Sequence, residues 1–198
     1  MRRLRLVVLL SGGGRTLLNL LDAIDAGRLD AEIPLVVSSL RSAAGVTRSL
    51  ARGLRVEILR PRDFDDVAAF AAAQTELIES ARPDLVIMAG YLVHYPVPTS
   101  LRGRILNIHP SLLPAHGGQG MFGDRVHAAV LAAGEQESGC TVHVVDDEYD
   151  QGPVLAQARV PVLADDTVET LAARVFQAEC STYPEAIARY ALDLPPRA

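Results

Sequence analysis

Residues 4–27 of the chain read LRLVVLLSGGGRTLLNLLDAIDAG. The opening LRLVVLL is almost entirely apolar, as expected for a strand that is buried on both faces of a parallel sheet. After the SGGGR loop, Leu17, Leu21 and Ile24 recur at helical spacing, and Gly27 is placed to end the helix. A buried strand that leads through a glycine loop into a helix predicts the first unit of an α/β fold.

The same alternation continues through the first half of the chain. Four more apolar runs predict strands at 33–39, 54–59, 84–90 and 104–109. Helical segments are predicted between them, near 42–52 and 65–81. Parallel strands need a crossover helix between them, so this order predicts a three-layer, mostly parallel, Rossmann-like sheet with helices on both faces.

The second half of the chain has a different pattern. Residues 140–162, CTVHVVDDEYDQGPVLAQARVPV, contain two strand-like runs separated by a polar turn with a glycine, which predicts an antiparallel addition at the sheet edge. A long helix is expected to start at Asp166, with Glu169 completing a capping box, and to bend or break near Pro184. The length of 198 residues predicts one domain spanning 1–198.

Composition excludes several classes of function. The net charge is −5, and no basic run with interleaved aromatic residues indicates a nucleic-acid partner. No apolar run reaches the roughly 18 residues of a membrane span, so we expect a cytoplasmic protein with no membrane contact. The chain has no lysine, which excludes a Schiff-base or P-loop lysine. Cys140 and His143 form one C-x-x-H pair without a second, so no metal site is expected.

The glycine loop Gly12, Gly13 and Gly14, followed by Arg15 and Thr16, joins a strand end to a helix start. Ligands bind outside the carboxyl ends of parallel strands, and free N–H groups at a helix start suit a phosphate. A flexible turn is an equal alternative. The dinucleotide fingerprint would need a glycine where Leu17 stands, so a single phosphate fits the loop better.

Asn107 and His109 end the strand ILNIH and point to one face, because alternate residues of a strand share a face. An amide donor beside a histidine suits a carbonyl that becomes an oxyanion. Pro110 and Pro114 would hold the following chain rigidly. Taken singly, His109 is also explained as a hydrogen-bonded core residue and Asn107 as a turn former.

Three other segments could contribute to such a site. Asp150 lies in the turn DEYDQGP and, if the turn folds over His109, would raise the pKa of that histidine and orient its ring; alone it is an ordinary turn aspartate. Glu179 falls on the helix face of Ala172 and Val175, where a carboxylate needs a partner such as a ligand amine or an arginine. The glycine-rich segment 116–127 reads equally as a lid or as a surface loop.

The motifs NIHPSLLP, preceded by MAGY and GRILNIH and followed by GCTVHVVDDEYDQGPVLAQARVPV, resemble the folate-dependent formyltransferases. The resemblance extends from about Leu6 to Tyr190. SGGGRTL and QAECSTYP are similar to the members that act on glycinamide. The chain differs from the family pattern at Val93 and Val67, where basic residues are common, at Gln151 in the Asp-x-Gly-Pro turn, and in the glycine-rich segment 116–123.

The resemblance implies direct transfer of a formyl group from 10-formyltetrahydrofolate, as co-substrate, to the amine of 5-phosphoribosylglycinamide, through a tetrahedral intermediate and without a metal. This is a step of de novo purine (IMP) biosynthesis. The implied catalytic residues are Asn107, His109 and Asp150. The implied substrate-binding residues are Gly12, Gly13, Gly14, Arg15, Thr16 and Glu179. The implied folate-binding residues are Leu92, Val93, His94, Tyr95, Asn107, Asp146 and Asp147.

Two alternatives stay open from the sequence. One is an NADP-binding Rossmann module, in which Ser38, Ser39 and Arg41 would hold a 2′-phosphate. The other keeps the folate chemistry with a different amine, such as an amino sugar. A homodimer is compatible with either function.

Overall fold

The computed structural model describes residues 3–195 of the chain. In chain order, its strands are β1 Leu4–Leu10, β2 Ala31–Ser38, β3 Val56–Ile58, β4 Leu85–Met88, β5 Ile105–His109, β6 Glu137–Val144 and β7 Val154–Pro161. Its α-helices are α1 Arg15–Asp25, α2 Ala44–Ala51, α3 Val67–Ser80, α4 Asp124–Ala132 and α5 Val168–Leu192. Short 3₁₀ turns occur at Pro61–Asp63 and Thr99–Leu101.

The seven strands form one sheet in the order β3-β2-β1-β4-β5-β6-β7. Strands β1 to β5 pair in parallel, whereas β6 runs antiparallel to both β5 and β7. The predicted Rossmann-like sheet and its antiparallel C-terminal addition are therefore confirmed. Because β1 lies between β2 and β4, the chain changes direction across the sheet at β1 and β4, which is where such sheets bind ligands.

The alternating side chains of β1 divide the core into two layers. Leu6, Val8 and Leu10 pack with apolar residues of α1, α4 and α5, whereas Val7 and Leu9 pack with apolar residues of α3. All five side chains are fully buried. The helices therefore cover both faces of the sheet, as the continuous apolar run predicts.

The end of α1 matches its predicted cap, whereas the start of α5 does not. Gly27 follows α1 with φ of +68°, and the N–H of Arg28 donates to the Ala23 carbonyl, so α1 ends in the Schellman motif that Gly27 predicts. The capping box expected at Asp166 and Glu169 is wrong, because Thr167 caps α5 through a reciprocal pair with Thr170.

Of the bend or break predicted near Pro184, the break is wrong. Helix α5 continues to Leu192, and the fully buried Tyr183 beside the proline donates hydrogen bonds to the carbonyls of Met88 and Leu106. This contact holds the middle of α5 against the ends of β4 and β5. Tertiary packing therefore outweighs the local cost of the proline. Among residues 3–195, no helix combines the length and apolarity needed to cross a membrane.

Candidate active site

A cavity of about 610 Å³ opens at the carboxyl ends of β1, β4 and β5. The strand ends around it are tied together by Ser11, whose hydroxyl accepts from the Leu92 N–H at 2.9 Å and lies 2.6 Å from the Ser39 hydroxyl. The Ser38 hydroxyl donates to the Leu40 carbonyl. Both serines proposed for a 2′-phosphate are thus buried in contacts within the protein, which disfavours the NADP alternative.

Asn107, His109 and Asp150 come together on the wall of this cavity, as predicted. Asp150 Oδ2 lies 3.4 Å from His109 Nδ1, and its Oδ1 lies 3.5 Å from His143 Nε2. The Asn107 amide donates to His143 Nε2 at 3.1 Å, while His143 Nδ1 donates to the Val144 carbonyl. The amide has a second N–H, which leaves one donor for a ligand.

The net pKa shift of His109 beside Asp150 has the opposite direction to the predicted one. The pKa of His109 is lowered, because burial disfavours the charged ring more than Asp150 and the His116 carbonyl favour it. The pKa of Asp150 is also lowered, since His143, His109 and the Gly118 N–H outweigh its burial. Asp150 therefore favours imidazolium as predicted, but the net direction of the shift at His109 is opposite to the predicted one.

The glycine-rich segment 116–123 contacts both members of the ion pair. His109 Nε2 lies 3.0 Å from the His116 carbonyl oxygen, and the Gly118 N–H donates to Asp150 Oδ2 at 2.9 Å. His116 and Asp150 adopt positive φ angles of 55° and 57°, which are uncommon for residues other than glycine. The segment is thus part of the cavity wall, and α4 begins directly after it, at Asp124.

The glycine loop lies at the start of α1. Gly14 has φ of +72°, and a Cβ there would lie 2.7 Å from Gly45 Cα, so both its conformation and its close contact require glycine. Arg15 and Thr16 line the cavity, while Gly12, Gly13 and Gly14 directly precede them. N–H groups in the first turn of a helix lack intrahelical partners, so this end of the cavity can receive an anion.

Helix α5 forms the wall next to the glycine loop. Ala172, Phe176 and Glu179 line the cavity from one face of the helix. Burial raises the pKa of Glu179 to about 7, and the positive charge of Arg15 opposes that rise. The carboxylate that the helical pattern singles out therefore does face a cavity and an arginine.

The segment that follows β4 adds apolar surface to the cavity. Leu92, Val93, His94 and Tyr95 line it, as does Asp146. The Tyr95 ring is buried and its hydroxyl meets Thr75, whereas Leu92 is 51% exposed. Asp147 is not brought to the cavity, because its carboxylate accepts from Arg102 at 2.9 Å and from the Val97 N–H.

Two histidines in the cavity wall were not recognised from the sequence. His143 was read only as a strand residue, but the antiparallel register of β5 and β6 pairs it directly with Asn107. An antiparallel alignment of the two strands would have placed His143 beside Asn107. His127 lies in α4, only 4% exposed, and its Nδ1 has no hydrogen-bond partner among the described residues. No group of three potential metal ligands occurs within residues 3–195.

Comparison with known proteins identifies the family. The model of the formyl transferase family matches residues 4–187. The chain belongs to the formyl transferase family. A phosphoribosylglycinamide formyltransferase from Escherichia coli (strain K12) is 36% identical over 190 residues, which cover 95% of this chain and 87% of that protein. Two solved structures of formyl transferase relatives are closely similar to this structure.

The glycinamide ribonucleotide transformylase 1 of Symbiobacterium toebii has a TM-score of 0.89 at 38% identity, covering 96% of this chain and 88% of that one. The phosphoribosylglycinamide formyltransferase of Brucella melitensis has a TM-score of 0.88 at 39% identity over the full length of both chains. Other formyl transferase relatives are longer. The chain spans 60% of a chloroplastic relative from Vigna unguiculata, at 40% identity, and 14% of a trifunctional purine biosynthetic protein from Drosophila melanogaster, at 38% identity.

Proposed function

We propose that this protein transfers the formyl group of 10-formyltetrahydrofolate to the amine of 5-phosphoribosylglycinamide, a step of de novo purine (IMP) biosynthesis. The observation that carries the proposal is the meeting of Asn107, His109 and Asp150 on the wall of one cavity. Arg15 at the start of α1 and the apolar residues that follow β4 line the same cavity. The names of the E. coli, S. toebii and B. melitensis relatives support the same acceptor.

Two sets of residues in the cavity lining suit the two substrates. Arg15, Thr16 and the N–H groups at the start of α1 would hold the phosphate of the ribonucleotide, and Glu179 would receive its amine. Leu92 and Tyr95 offer apolar surface for the folate ring, and Asp146 offers an acceptor for its N–H groups. A volume of about 610 Å³ is within the range of pockets that enclose small molecules.

The central residues would stabilise the charge that develops during transfer. The amine nitrogen adds to the formyl carbon, and the C=O electron pair moves to the oxygen of a tetrahedral intermediate. When this intermediate collapses, the C=O bond reforms and the C–N bond to the folate breaks, and the proton that the amine loses balances the one that the folate nitrogen gains. The free N–H of Asn107 would donate to the formyl oxygen as it becomes negative. His109 Nε2 would do the same once the formyl oxygen replaces the His116 carbonyl as its acceptor.

Asp150 would act on His109. Its carboxylate faces Nδ1 at 3.4 Å, so the imidazolium form gains a partner at the stage when the formyl oxygen needs a proton donor. Burial opposes this charge, because it lowers the pKa of His109. Glu179, whose pKa is raised to about 7, is placed to accept the proton of the attacking amine.

An absorbance assay tests this proposal. The protein is mixed with 5-phosphoribosylglycinamide and a 10-formyl folate analogue, and loss of the formyl group is followed. Transfer by the wild type, together with a loss of roughly a hundredfold or more in His109→Ala and Asn107→Ala, would support it. Asp165→Asn changes an exposed residue remote from the cavity and is the control. Transfer to an amino sugar but not to glycinamide ribonucleotide would replace the acceptor and keep the chemistry.

The remaining features follow from the same proposal. We infer a cytoplasmic enzyme whose one domain carries the whole site and that works without a metal. Chelation should leave the rate unchanged, and a rate restored by added zinc or magnesium would contradict this. A homodimer is the alternative to a monomer, and sedimentation at several concentrations would distinguish them.

A further inference from the structure

Arg15 reaches across the cavity floor from α1 to α5. It is the first residue of α1 and its side chain is exposed, yet its guanidinium carbon lies 3.8 Å from the centroid of the Phe176 ring. Both residues line the cavity. Phe176 precedes Glu179 by three positions, so the two side chains share one face of α5. The Arg15–Phe176 pair therefore joins the start of α1 to the face of α5 that carries Glu179.

Stacking leaves the binding groups of arginine free. A guanidinium that lies over an aromatic ring uses its flat face, whereas its N–H donors point outward in the plane. An exposed arginine side chain is otherwise free to rotate and loses rotamer entropy when a ligand fixes it. A ring that holds the group beforehand removes part of that cost.

We propose that Phe176 is a positioning residue that holds the Arg15 guanidinium at the cavity floor, where its in-plane N–H groups meet the phosphate of the acceptor substrate and its charge lies beside Glu179. This inference rests on the proposed function for the identity of the acceptor. The ring does not touch the reacting atoms. Its effect passes through Arg15 to substrate binding and to the ionisation of Glu179.

The groups around Glu179 allow the effect of Phe176 on the ionisation of this carboxyl to be measured. The titratable groups that interact with it are Arg15 from α1, Cys140 from β6, and Cys180 and Tyr183 from α5. Burial raises the pKa of both cysteines and of the tyrosine, so these three are neutral near pH 7. Arg15 is therefore the charged member of the group, and displacing it should raise the pKa of Glu179.

Kinetics give the first test. Phe176→Leu removes the ring and keeps an apolar side chain, whereas Phe176→Tyr keeps the ring face. We expect the KM for 5-phosphoribosylglycinamide to rise about two- to fivefold in Phe176→Leu with a smaller change in kcat, and to stay near the wild-type value in Phe176→Tyr. Arg15→Gln should raise KM at least as much. The double variant Arg15→Gln with Phe176→Leu should show little further rise in KM beyond that of Arg15→Gln alone.

A second test does not depend on formyl transfer. Titration of the Glu179 carboxyl by carbon-13 NMR, together with binding of ribose 5-phosphate by calorimetry, is carried out on the same variants. We expect Phe176→Leu to raise the pKa of Glu179 and weaken ribose 5-phosphate binding, with Phe176→Tyr close to wild type. If Phe176→Leu does not fold, Phe176→Met takes its place.

The outcomes separate this inference from the proposed function. A wild-type protein that transfers no formyl group to the glycinamide removes the proposed acceptor, yet a raised pKa of Glu179 and weaker phosphate binding in Phe176→Leu would still support positioning. Transfer with an unchanged pKa of Glu179 and unchanged ribose 5-phosphate binding in Phe176→Leu would overturn the role of Phe176. An equal rise in KM and an equal weakening of ribose 5-phosphate binding in Phe176→Leu and Phe176→Tyr would also overturn it, since the tyrosine keeps the ring face.

Discussion

Replacing Asp150 with asparagine separates the charge of this residue from its shape. Asparagine is nearly isosteric, and it is one of the few residues that tolerate the positive φ of 57° found here. Its side-chain oxygen can still accept from the Gly118 N–H, which now donates to the carboxylate at 2.9 Å. The variant should therefore fold and keep the glycine-rich segment in place while losing one negative charge beside His109.

The distance between Asp150 and His109 sets the size of the expected loss of turnover. Two unit charges at the observed 3.4 Å attract by roughly 5 kcal/mol at an effective dielectric constant near 20. This is an upper bound, because the carboxylate also faces His143 and must be desolvated. We expect turnover to fall about a hundredfold, which corresponds to about 2.7 kcal/mol.

The loss should depend on pH. Asp150 raises the pKa of His109 against the lowering effect of burial, so the asparagine variant should have a still lower pKa at His109. At low pH both proteins carry the imidazolium and differ little. The deficit should grow as pH rises through the range below 6.5, the ordinary pKa of histidine, because the lowered pKa values of both proteins lie there, and then level off.

The assay is kcat for formyl transfer across that range, measured for the wild type, Asp150→Asn and the control Asp165→Asn. Thermal unfolding of each variant establishes that it is folded. A deficit of less than about threefold at neutral pH, in a folded Asp150→Asn protein, would refute the electrostatic role given to this carboxylate. A hundredfold deficit that did not change with pH would assign the loss to geometry instead.

Three further changes have distinct expected results. Tyr183→Phe should lower the free energy of unfolding in urea by about 1–3 kcal/mol, because its buried hydroxyl donates to two main-chain carbonyls. Glu179→Gln should raise the free energy of unfolding by about 3 kcal/mol at high pH and by nothing at low pH. The reason is that the folded-state pKa of about 7 lies above the ordinary 4.5, so the wild type loses stability as pH rises between these values. Gly152→Ala should lower kcat for formyl transfer more than about tenfold and destabilise the fold by about 1–3 kcal/mol, because its Cβ would lie 1.8 Å from the Val144 carbonyl oxygen and displace the turn that carries Asp150.

Each of these expectations has a clear contrary result. Unchanged stability of Tyr183→Phe would mean that the two carbonyls do not depend on the hydroxyl. A stability difference for Glu179→Gln that is equal at high and low pH would mean that burial does not hold this carboxyl protonated. Wild-type activity of Gly152→Ala would mean that the turn need not keep this backbone path, and Gln151→Ala, an exposed neighbour, is the control for the turn itself.

Local pattern was enough to predict the sheet and the helices α1, α2, α3 and α5. The unbroken apolar run of β1 requires both faces to be covered, and Gly27 ends α1 with the positive φ that its identity suggests. Alternation along β5 placed Asn107 and His109 on one face. These are short-range relations between residues close in sequence, and they follow from backbone periodicity.

Predictions failed where distant contacts compete with local rules. Helix α5 passes through Pro184 because Tyr183 is hydrogen-bonded to two strands that lie 77 and 95 residues earlier. Asp147, next to a residue that does line the cavity, turns away to Arg102. Neither outcome is visible in the neighbouring sequence, since each depends on a partner brought near by the fold.

The sequence by itself determined the α/β order, the glycine loop and the placement of Asn107 and His109 on one face of a strand, because each depends on spacing along one segment. Only the tertiary structure decided that Asp150 reaches His109, that His143 pairs with Asn107, and that Arg15 stacks on Phe176. It also decided the direction of the pKa shift at His109. Burial is a property of the folded chain, and here it outweighs the carboxylate that the sequence places in the turn.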